Sequence, residues 1–182
     1  NILPDGVECI FVRQAEQLGL GHAVLCAERV VGSDPFAVLL ADDFITTEGS
    51  GVTADLTGAY AATGKTQLSV MEINGPEISK YGVMVPNRTP GSVAGLIEKP
   101  KADKAPSNLA SIGRYVLTPD IFDMLRNQQP GAGGEIQLAD AINTQAANNA
   151  VEAVKLKGRR FDCGSVEGYL DAIMHVAERR KR

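Results

Sequence analysis

The chain has 182 residues and a formal net charge of −4 at pH 7, with 44% hydrophobic and 22% charged residues. These values are typical of one globular domain with a sizeable core, and they exclude a broadly basic nucleic-acid-binding surface. No apolar run approaches the roughly 18 residues of a membrane span, and two histidines with three scattered cysteines argue against zinc sites and disulfides. We therefore expect a cytoplasmic protein that binds neither nucleic acid nor membrane.

Strand and helix patterns alternate in the first half of the chain. Gly19-Leu20-Gly21 precedes a helical pattern, and a continuous apolar run at 36–40 is typical of a strand buried on both faces. The elements expected here are strands at 8–12, 36–40 and 67–73 and helices at 23–31 and 53–63.

The second half adds an antiparallel unit and a closing helix. Two strand patterns flank a Pro/Gly turn and predict a hairpin, and Thr118 is expected to cap the helix that follows the next strand. The elements expected here are strands at 81–85, 92–98, 109–117 and 151–156 and helices at 137–147 and 166–180. The order predicts an α/β fold with a mixed sheet flanked by helices, in a single domain of residues 1–182 with an antiparallel insertion at about 80–117.

Two aspartates each follow a strand pattern. Asp42 and Asp43 end the apolar run at 36–40, and Asp162 lies in Arg-Phe-Asp-Cys-Gly. Ligands of open α/β proteins bind at the carboxyl ends of parallel strands, and carboxylate oxygens suit hard cations. Asp42 and Asp162 could therefore share one divalent cation in metal-assisted chemistry on a phosphate, although each could equally be a turn or capping residue.

Two further residues could contact a nucleotide. The glycine loop at Gly19 could let a ligand approach a helix N-terminus, or it could be only a tight turn. Gln14 offers a donor and an acceptor to a nucleobase edge, or it could be a surface glutamine.

Four residues of the antiparallel unit could contact a sugar phosphate. Glu98 and Asn108 could bind sugar hydroxyls, Gly82 could expose its backbone, and Lys99 could neutralise a phosphate. The alternatives are an exposed Glu98–Lys99 ion pair, a bulge at Gly82 and a turn at Asn108.

The order of these segments resembles that of bacterial UTP–glucose-1-phosphate uridylyltransferases, within the wider sugar-phosphate nucleotidyltransferases. The resemblance covers nearly the whole chain, and the blocks at 106–110 and 134–138 are specific to the uridylyl branch. The matching text is Gly19-Leu20-Gly21-His22-Ala23-Val24, Leu39-Leu40-Ala41-Asp42-Asp43, Ser79-Lys80-Tyr81-Gly82-Val83, Ile97-Glu98-Lys99-Pro100-Lys101, Pro106-Ser107-Asn108-Leu109-Ala110, Gly113-Arg114-Tyr115, Gly134-Glu135-Ile136-Gln137-Leu138 and Asp162-Cys163-Gly164.

The resemblance implies a Rossmann-like nucleotidyltransferase fold and a Mg²⁺-dependent reaction of UTP with glucose 1-phosphate that gives UDP-glucose and pyrophosphate. By matching position, Gln14 and Gly19 are expected to contact uracil, and Gly82, Glu98 and Asn108 the glucose hydroxyls. Lys99 is expected to bind the sugar phosphate. Asp42 and Asp162 are expected to hold Mg²⁺, and Asp43 is expected to be structural rather than a ligand.

One family element is not found in the sequence. Such enzymes open with a glycine-rich loop, Gly-x-Gly-Thr-Arg, followed by Pro-x-Thr-Lys, which cradle the triphosphate. We therefore expect a fragment that is incomplete at the N-terminus and nearly inactive alone. The resemblance also implies a homo-oligomer, a dimer or tetramer, with the helix at 166–180 as a candidate contact surface.

Three other functions stay open on sequence grounds. A related nucleotidyltransferase could use another sugar phosphate or dTTP. A metal-dependent glycosyltransferase is disfavoured, since Asp42-Asp43 lacks the Asp-x-Asp spacing. A non-catalytic nucleotide-sugar binding module is the third.

Overall fold

The computed structural model describes residues 4–180, apart from the side chain of Ala132. The strands are β1 Phe36–Leu39, β2 Asp43–Thr46, β3 Thr66–Glu72, β4 Gly82–Pro86, β5 Val93–Glu98, β6 Leu109–Leu117, β7 Val151–Lys155 and β8 Arg159–Asp162. The helices are α1 Leu20–Cys26, α2 Glu28–Val31, α3 Val52–Thr63, α4 Ile121–Asn127, α5 Leu138–Ala147 and α6 Val166–Arg179. Across residues 4–180, no helix combines the length and apolar character needed to cross a bilayer.

The long strand β6 organises a six-stranded mixed sheet. β3 pairs antiparallel along one side of β6, and β7 lies beyond it, parallel to β3. Two strands share the other side. β1 pairs with the carboxyl end of β6, from Phe36 opposite Leu117 to Leu39 opposite Arg114, and β4 pairs with its amino end, Val83 opposite Ala110. Residues 111–113 therefore lie between the ends of β1 and β4, where a cleft opens.

Helices cover both faces of this sheet. Successive side chains of a strand point to opposite faces, so Tyr115 and Leu117 face one side and Val116 faces the other. Tyr115 and Leu117 pack in the main core with residues of α4 and α5, whereas Val116 packs with Val52 and Leu56 of α3. The arrangement confirms the predicted α/β fold with helices flanking a mixed sheet.

β2 and β8 form a separate two-stranded antiparallel ribbon. Asp43 pairs with Asp162 and Phe44 with Phe161, so one face of the ribbon carries acidic residues and the other carries aromatic rings. The Phe161 ring lies 6.0 Å from that of Phe44 and 5.0 Å from that of His175 in α6. The aromatic face is therefore anchored beneath α6, which leaves the acidic face for the cleft.

Three predictions for the first forty residues are wrong. Residues 8–12 form no strand, and Phe11 is 91% exposed, since within residues 4–180 this segment has no strand partner. The helix expected at 23–31 begins at Leu20 and is divided at Ala27 into α1 and α2. β1 alternates between half-buried and exposed residues, with Leu39 54% exposed, and is not buried on both faces.

The predicted Thr118 cap is also wrong. The Thr118 hydroxyl accepts a 2.8 Å hydrogen bond from Nε2 of Gln145 and lies 3.2 Å from the hydroxyl of Thr66. α4 begins at Ile121, with Asp120 at the N-cap position and no side-chain capping bond among the described residues. The other expected elements agree with the structure to within about two residues at each end. They include the helix at 53–63, the two hairpin strands, the strands at 109–117 and 151–156, and the helices at 137–147 and 166–180.

Candidate functional site

A cavity of about 220 Å³ lies in the cleft between β1 and β4, against residues 111–113 of β6. Its lining combines apolar side chains with charged and hydrogen-bonding groups, as in many small-molecule sites. The apolar residues of the lining include Leu20, Leu40, Leu96, Leu138 and Ile142. The charged and hydrogen-bonding residues include Asp42, Asp43, Lys80, Tyr81, Glu98 and Arg160.

Asp42 and Asp162 face the same small space. Gly164 donates a 3.2 Å hydrogen bond from its backbone N–H to Oδ1 of Asp162. A methyl group placed on Gly164 would lie 3.2 Å from that oxygen and 3.3 Å from Oδ2 of Asp42. The two carboxylates therefore approach each other over a glycine that leaves room between them.

The route by which these carboxylates meet differs from the prediction. β1 is antiparallel to its neighbour β6, and β8 is antiparallel to β2, so neither aspartate ends a strand of a parallel pair. Asp42 instead directly precedes β2, and Asp162 ends β8. The ribbon, not a parallel sheet edge, brings them together.

Asp43 and Arg160 form a buried ion pair next to these carboxylates. Their side chains are 5% and 10% exposed, and Nε and Nη2 of Arg160 contact Oδ1 of Asp43. Oδ2 of Asp43 accepts a 2.5 Å hydrogen bond from the backbone N–H of Gly113. Burial alone would lower the pKa of the Arg160 guanidinium, but the Asp43 carboxylate raises this pKa above its ordinary value. Asp43 thus joins the ribbon to β6, which agrees with the structural role expected for it.

A second arginine holds the turn that carries Asp42. Nη1 of Arg114 donates hydrogen bonds of 3.0 Å to the carbonyl of Leu40 and 2.7 Å to that of Gly113, and Nη2 donates to the carbonyl of Asp43. No role for Arg114 or Arg160 was evident from the sequence. The available signal for Arg160 was the sequence Arg-Arg-Phe-Asp, in which a strand places Arg160 and Asp162 on one face and Phe161 on the other.

Gly82 and Glu98 are directly opposite each other in the β4–β5 hairpin. A methyl group on Gly82 would lie 3.0 Å from Oε2 of Glu98, so the carboxylate rests against the glycine backbone. Lys99 follows with Nζ 4.0 Å from Oε1 of Glu98, and these side chains are 66% and 51% exposed. The Lys99 N–H donates a 3.0 Å hydrogen bond to the carbonyl of Tyr81, which fixes the backbone beside the pair.

Gln14 and Gly19 lie together but outside the cavity lining. Nε2 of Gln14 donates a 3.1 Å hydrogen bond to the carbonyl of Gly19 and lies 2.9 Å from Nδ1 of His22. Gly19 has φ 96°, and a methyl group there would lie 2.9 Å from the carbonyl oxygen of Ile136. The glycine is therefore required by close packing, and the next residue, Leu20, lines the cavity.

Asn108 is not among the residues that line the cavity. Its Nδ2 donates a 3.2 Å hydrogen bond to Oδ1 of Asn74, and its side chain is exposed. Of the eight expected site residues, the cavity lining includes Asp42, Gly82 and Glu98. Asp162 adjoins Asp42 across Gly164, and Lys99 adjoins Glu98.

Comparison with known proteins identifies the family of this chain. The sequence profile described as Nucleotidyl transferase matches residues 4–179. The chain belongs to the nucleotidyl transferase family. A UTP–glucose-1-phosphate uridylyltransferase of Pseudomonas aeruginosa is 47% identical over 171 residues, which cover 91% of this chain and 61% of that protein. One of Staphylococcus epidermidis is 43% identical over 176 residues, 95% of this chain and 61% of that protein.

Solved structures of nucleotidyl transferases agree with the fold. A UDP-glucose pyrophosphorylase complexed with UDP-glucose superposes with a TM-score of 0.85 at 43% identity, covering 94% of this chain and 66% of that one. An apo UDP-glucose pyrophosphorylase gives a TM-score of 0.88 at 42% identity, covering 93% and 63%. This chain therefore spans somewhat less than two thirds of the length of these relatives.

Proposed function

We propose that the protein transfers the uridylyl group of UTP to glucose 1-phosphate, giving UDP-glucose and pyrophosphate, and that this chain carries the metal and sugar sides of the site. The observation that supports this most strongly is the placement of three carboxylates around one cleft. Asp42 and Asp162 meet over Gly164 at one end, and Glu98 rests against Gly82 in the same cavity lining. The relatives named as uridylyltransferases share more than 40% identity with this chain.

Asp42 and Asp162 are the proposed ligands of Mg²⁺. In residues 4–180 no group of three or more His, Cys, Asp or Glu side chains surrounds one point. That still fits Mg²⁺, which is usually held by one or two carboxylates, with substrate phosphates and water completing its shell. When bound, the ion supplies positive charge to the phosphates during transfer.

The remaining residues are proposed to bind and orient the two substrates. Glu98 accepts hydrogen bonds from glucose hydroxyls, and the missing side chain at Gly82 lets the sugar approach the strand. Lys99, whose side chain is 66% exposed, neutralises the sugar phosphate. Gln14 and Gly19 border the uracil, and Asn108 contacts the sugar from the start of β6. In-line attack by the sugar phosphate needs no covalent intermediate, so these groups act by positioning and charge.

Two wider expectations stay predictions. Because the sequence contains no Gly-x-Gly-Thr-Arg loop, we expect low turnover by this chain alone. An assay with UTP and glucose 1-phosphate tests this expectation. We also propose a homo-oligomer that uses α6, because Val166, Tyr169 and Met174 are 72%, 54% and 61% exposed on that helix. Light scattering during gel filtration measures its mass.

The binding experiment compares two glutamates of matched exposure. The Glu98 side chain is 51% exposed and lies in the cleft. The Glu72 side chain, at the end of β3, is 49% exposed and forms an ion pair with Lys155. We expect calorimetry of the 182-residue chain with UDP-glucose and Mg²⁺ to show saturable binding. Glu98→Gln weakens it about tenfold because a charged acceptor is lost, and Glu72→Gln leaves it unchanged. Absence of saturable binding, or equal affinities for Glu98→Gln and wild type, overturns the proposal. Tighter binding of dTDP-glucose than of UDP-glucose favours the thymidylyl alternative.

A further inference from the structure

We propose that Arg160 is a positioning residue that fixes the Asp42–Asp162 pair and ties it to the sugar side of the cleft through Tyr81. The proposal rests on the proposed function, because it takes these two carboxylates as the ligands of a divalent cation. Arg160 itself is not proposed to touch substrate or metal.

Each nitrogen of the Arg160 guanidinium contacts a protein group. Nε and Nη2 contact Asp43, Nη1 donates a 3.0 Å hydrogen bond to the hydroxyl of Tyr81, and Nη2 lies 3.8 Å from Oδ1 of Asp162. The guanidinium carbon also lies 5.2 Å from the centre of the Tyr81 ring. With only 10% of the side chain exposed, Arg160 has little surface left for a phosphate.

These contacts lie at the end of the β2–β8 ribbon that carries the two proposed metal ligands. Asp43 follows Asp42 in the chain and pairs across the ribbon with Asp162, and Arg160 is on the same ribbon face. The Arg160–Asp43 bond therefore links the two strands at the end that carries both carboxylates. Tyr81 precedes Gly82, so its hydroxyl extends the link to the strand that carries the sugar side.

A positioning role and a simple charge effect predict opposite changes in cation binding. Removing the positive charge of Arg160 alone should strengthen cation binding, because the site becomes more negative. Losing the link should weaken it, because the two carboxylates no longer hold one geometry. Asp43→Asn combined with Arg160→Met removes one negative and one positive charge, so net charge is unchanged. The amide that replaces the Asp43 carboxylate in that double variant keeps an oxygen that can accept the Gly113 N–H.

The experiment measures Mn²⁺ binding to the chain by electron paramagnetic resonance, in the presence of UDP-glucose. We expect the double variant to bind Mn²⁺ roughly tenfold more weakly, which is the usual effect of losing an outer partner of a metal ligand. Arg160→Lys keeps the charge but cannot reach all three partners, and it should weaken binding similarly. Arg159→Met is the matched control, since Arg159 lies over the Phe161 ring on the other face of the ribbon.

Two further variants make every outcome decisive. Asp42→Asn should weaken Mn²⁺ binding strongly, and if it does not, the metal site and the proposed function fail with it. If Asp42→Asn weakens binding while the double variant and Arg160→Lys match wild type, the positioning role is overturned and the metal site stands. Tyr81→Phe removes one hydroxyl and should weaken binding about twofold to threefold. If thermal melting shows that the double variant is unfolded, the Mn²⁺ affinity of Tyr81→Phe tests the positioning role instead.

Discussion

The carbonyl oxygen of Asp42 accepts a 2.7 Å hydrogen bond from the backbone N–H of Cys163, the residue after Asp162. This bond joins the two turns that carry the proposed metal ligands. Backbone contacts of this kind hold carboxylates in place before a cation arrives, which reduces the ordering needed for binding. Close approach of the turns also depends on Gly164.

Gly164→Ala should weaken divalent cation binding without destabilising the fold. The added methyl group would lie 3.2 Å from Asp162 and 3.3 Å from Asp42, and both contacts are to the ends of side chains that can move apart. We expect about a tenfold loss of Mn²⁺ affinity and an unchanged melting temperature. Unchanged Mn²⁺ affinity would show that the two carboxylates do not act as a pair.

Gly58→Ala serves as the control and is a stability prediction in its own right. Gly58 lies within α3, and a methyl group there meets no atom within 4 Å. Alanine is preferred over glycine in helices, so the variant should be more stable by about 0.5–1 kcal/mol. Urea unfolding measures the change, and Mn²⁺ affinity should stay that of wild type. A lower unfolding free energy for Gly58→Ala would mean that the added methyl group meets neighbouring atoms, which contradicts the exposed position of Gly58.

Gly82→Ala should weaken UDP-glucose binding by displacing Glu98. A methyl group on Gly82 would lie 3.0 Å from Oε2 of Glu98, so the carboxylate must rotate away while the strand pairing is kept. Calorimetry should show roughly a tenfold weaker UDP-glucose affinity, equivalent to about 1.4 kcal/mol. Wild-type affinity in this variant would remove Glu98 from the proposed sugar contacts.

Asp43→Ala should destabilise the protein strongly. It leaves the buried Arg160 without its closest ion-pair partner and removes the acceptor of the Gly113 N–H. Breaking a buried ion pair from one side costs about 3–5 kcal/mol. Asp103→Ala, at an exposed position in the short 3₁₀ helix Ala102–Lys104, is the control and should change the unfolding free energy by less than about 0.5 kcal/mol. A cost below about 1 kcal/mol for Asp43→Ala would mean that the pair does not hold the ribbon to β6.

The contribution of Glu152 should depend on pH. Partial burial alone would raise the pKa of this carboxyl, but hydrogen bonds from Gln67 and Lys65 lower the pKa below its ordinary value of 4.5. A lowered pKa in the folded state means that the charged group stabilises the fold above pH 4.5, and that this stabilisation is lost as pH falls through the lower folded pKa. Glu152→Gln should therefore be less stable than wild type at pH 7, and the difference should shrink below pH 4.5. Melting temperatures across this range test it, and a difference that grows in acid contradicts it.

The sequence predicted those elements whose pattern is local. The hairpin, β3, β6 and the helices at α3, α5 and α6 follow from alternation, helical spacing and turn residues. The ribbon of β2 and β8 was not predicted, since its strands have four residues each and include charged residues that alternate with phenylalanine. Such short segments gain their strand geometry from pairing with each other, which no local pattern reveals.

The sequence indicated part of the candidate site, through family resemblance rather than through a local pattern. Resemblance to a family indicated Asp42, Asp162, Gly82 and Glu98, and the structure places them around one cleft. The arginines that hold this arrangement contact residues remote in sequence, so their partners could not be read from their neighbours. The failed strand at 8–12 shows the converse case, in which an apolar pattern finds no strand partner in the described part of the chain.

The most direct test of the proposed metal and sugar sites is anomalous X-ray diffraction from crystals of this chain grown with UDP-glucose and Mn²⁺. We expect one manganese peak bound by Asp42 and Asp162, at about 2.1 Å from the nearest oxygen of each. We also expect glucose hydroxyls within hydrogen-bonding distance of Glu98. A manganese peak away from both aspartates, or UDP-glucose bound outside the β1–β4 cleft, would contradict the proposed sites.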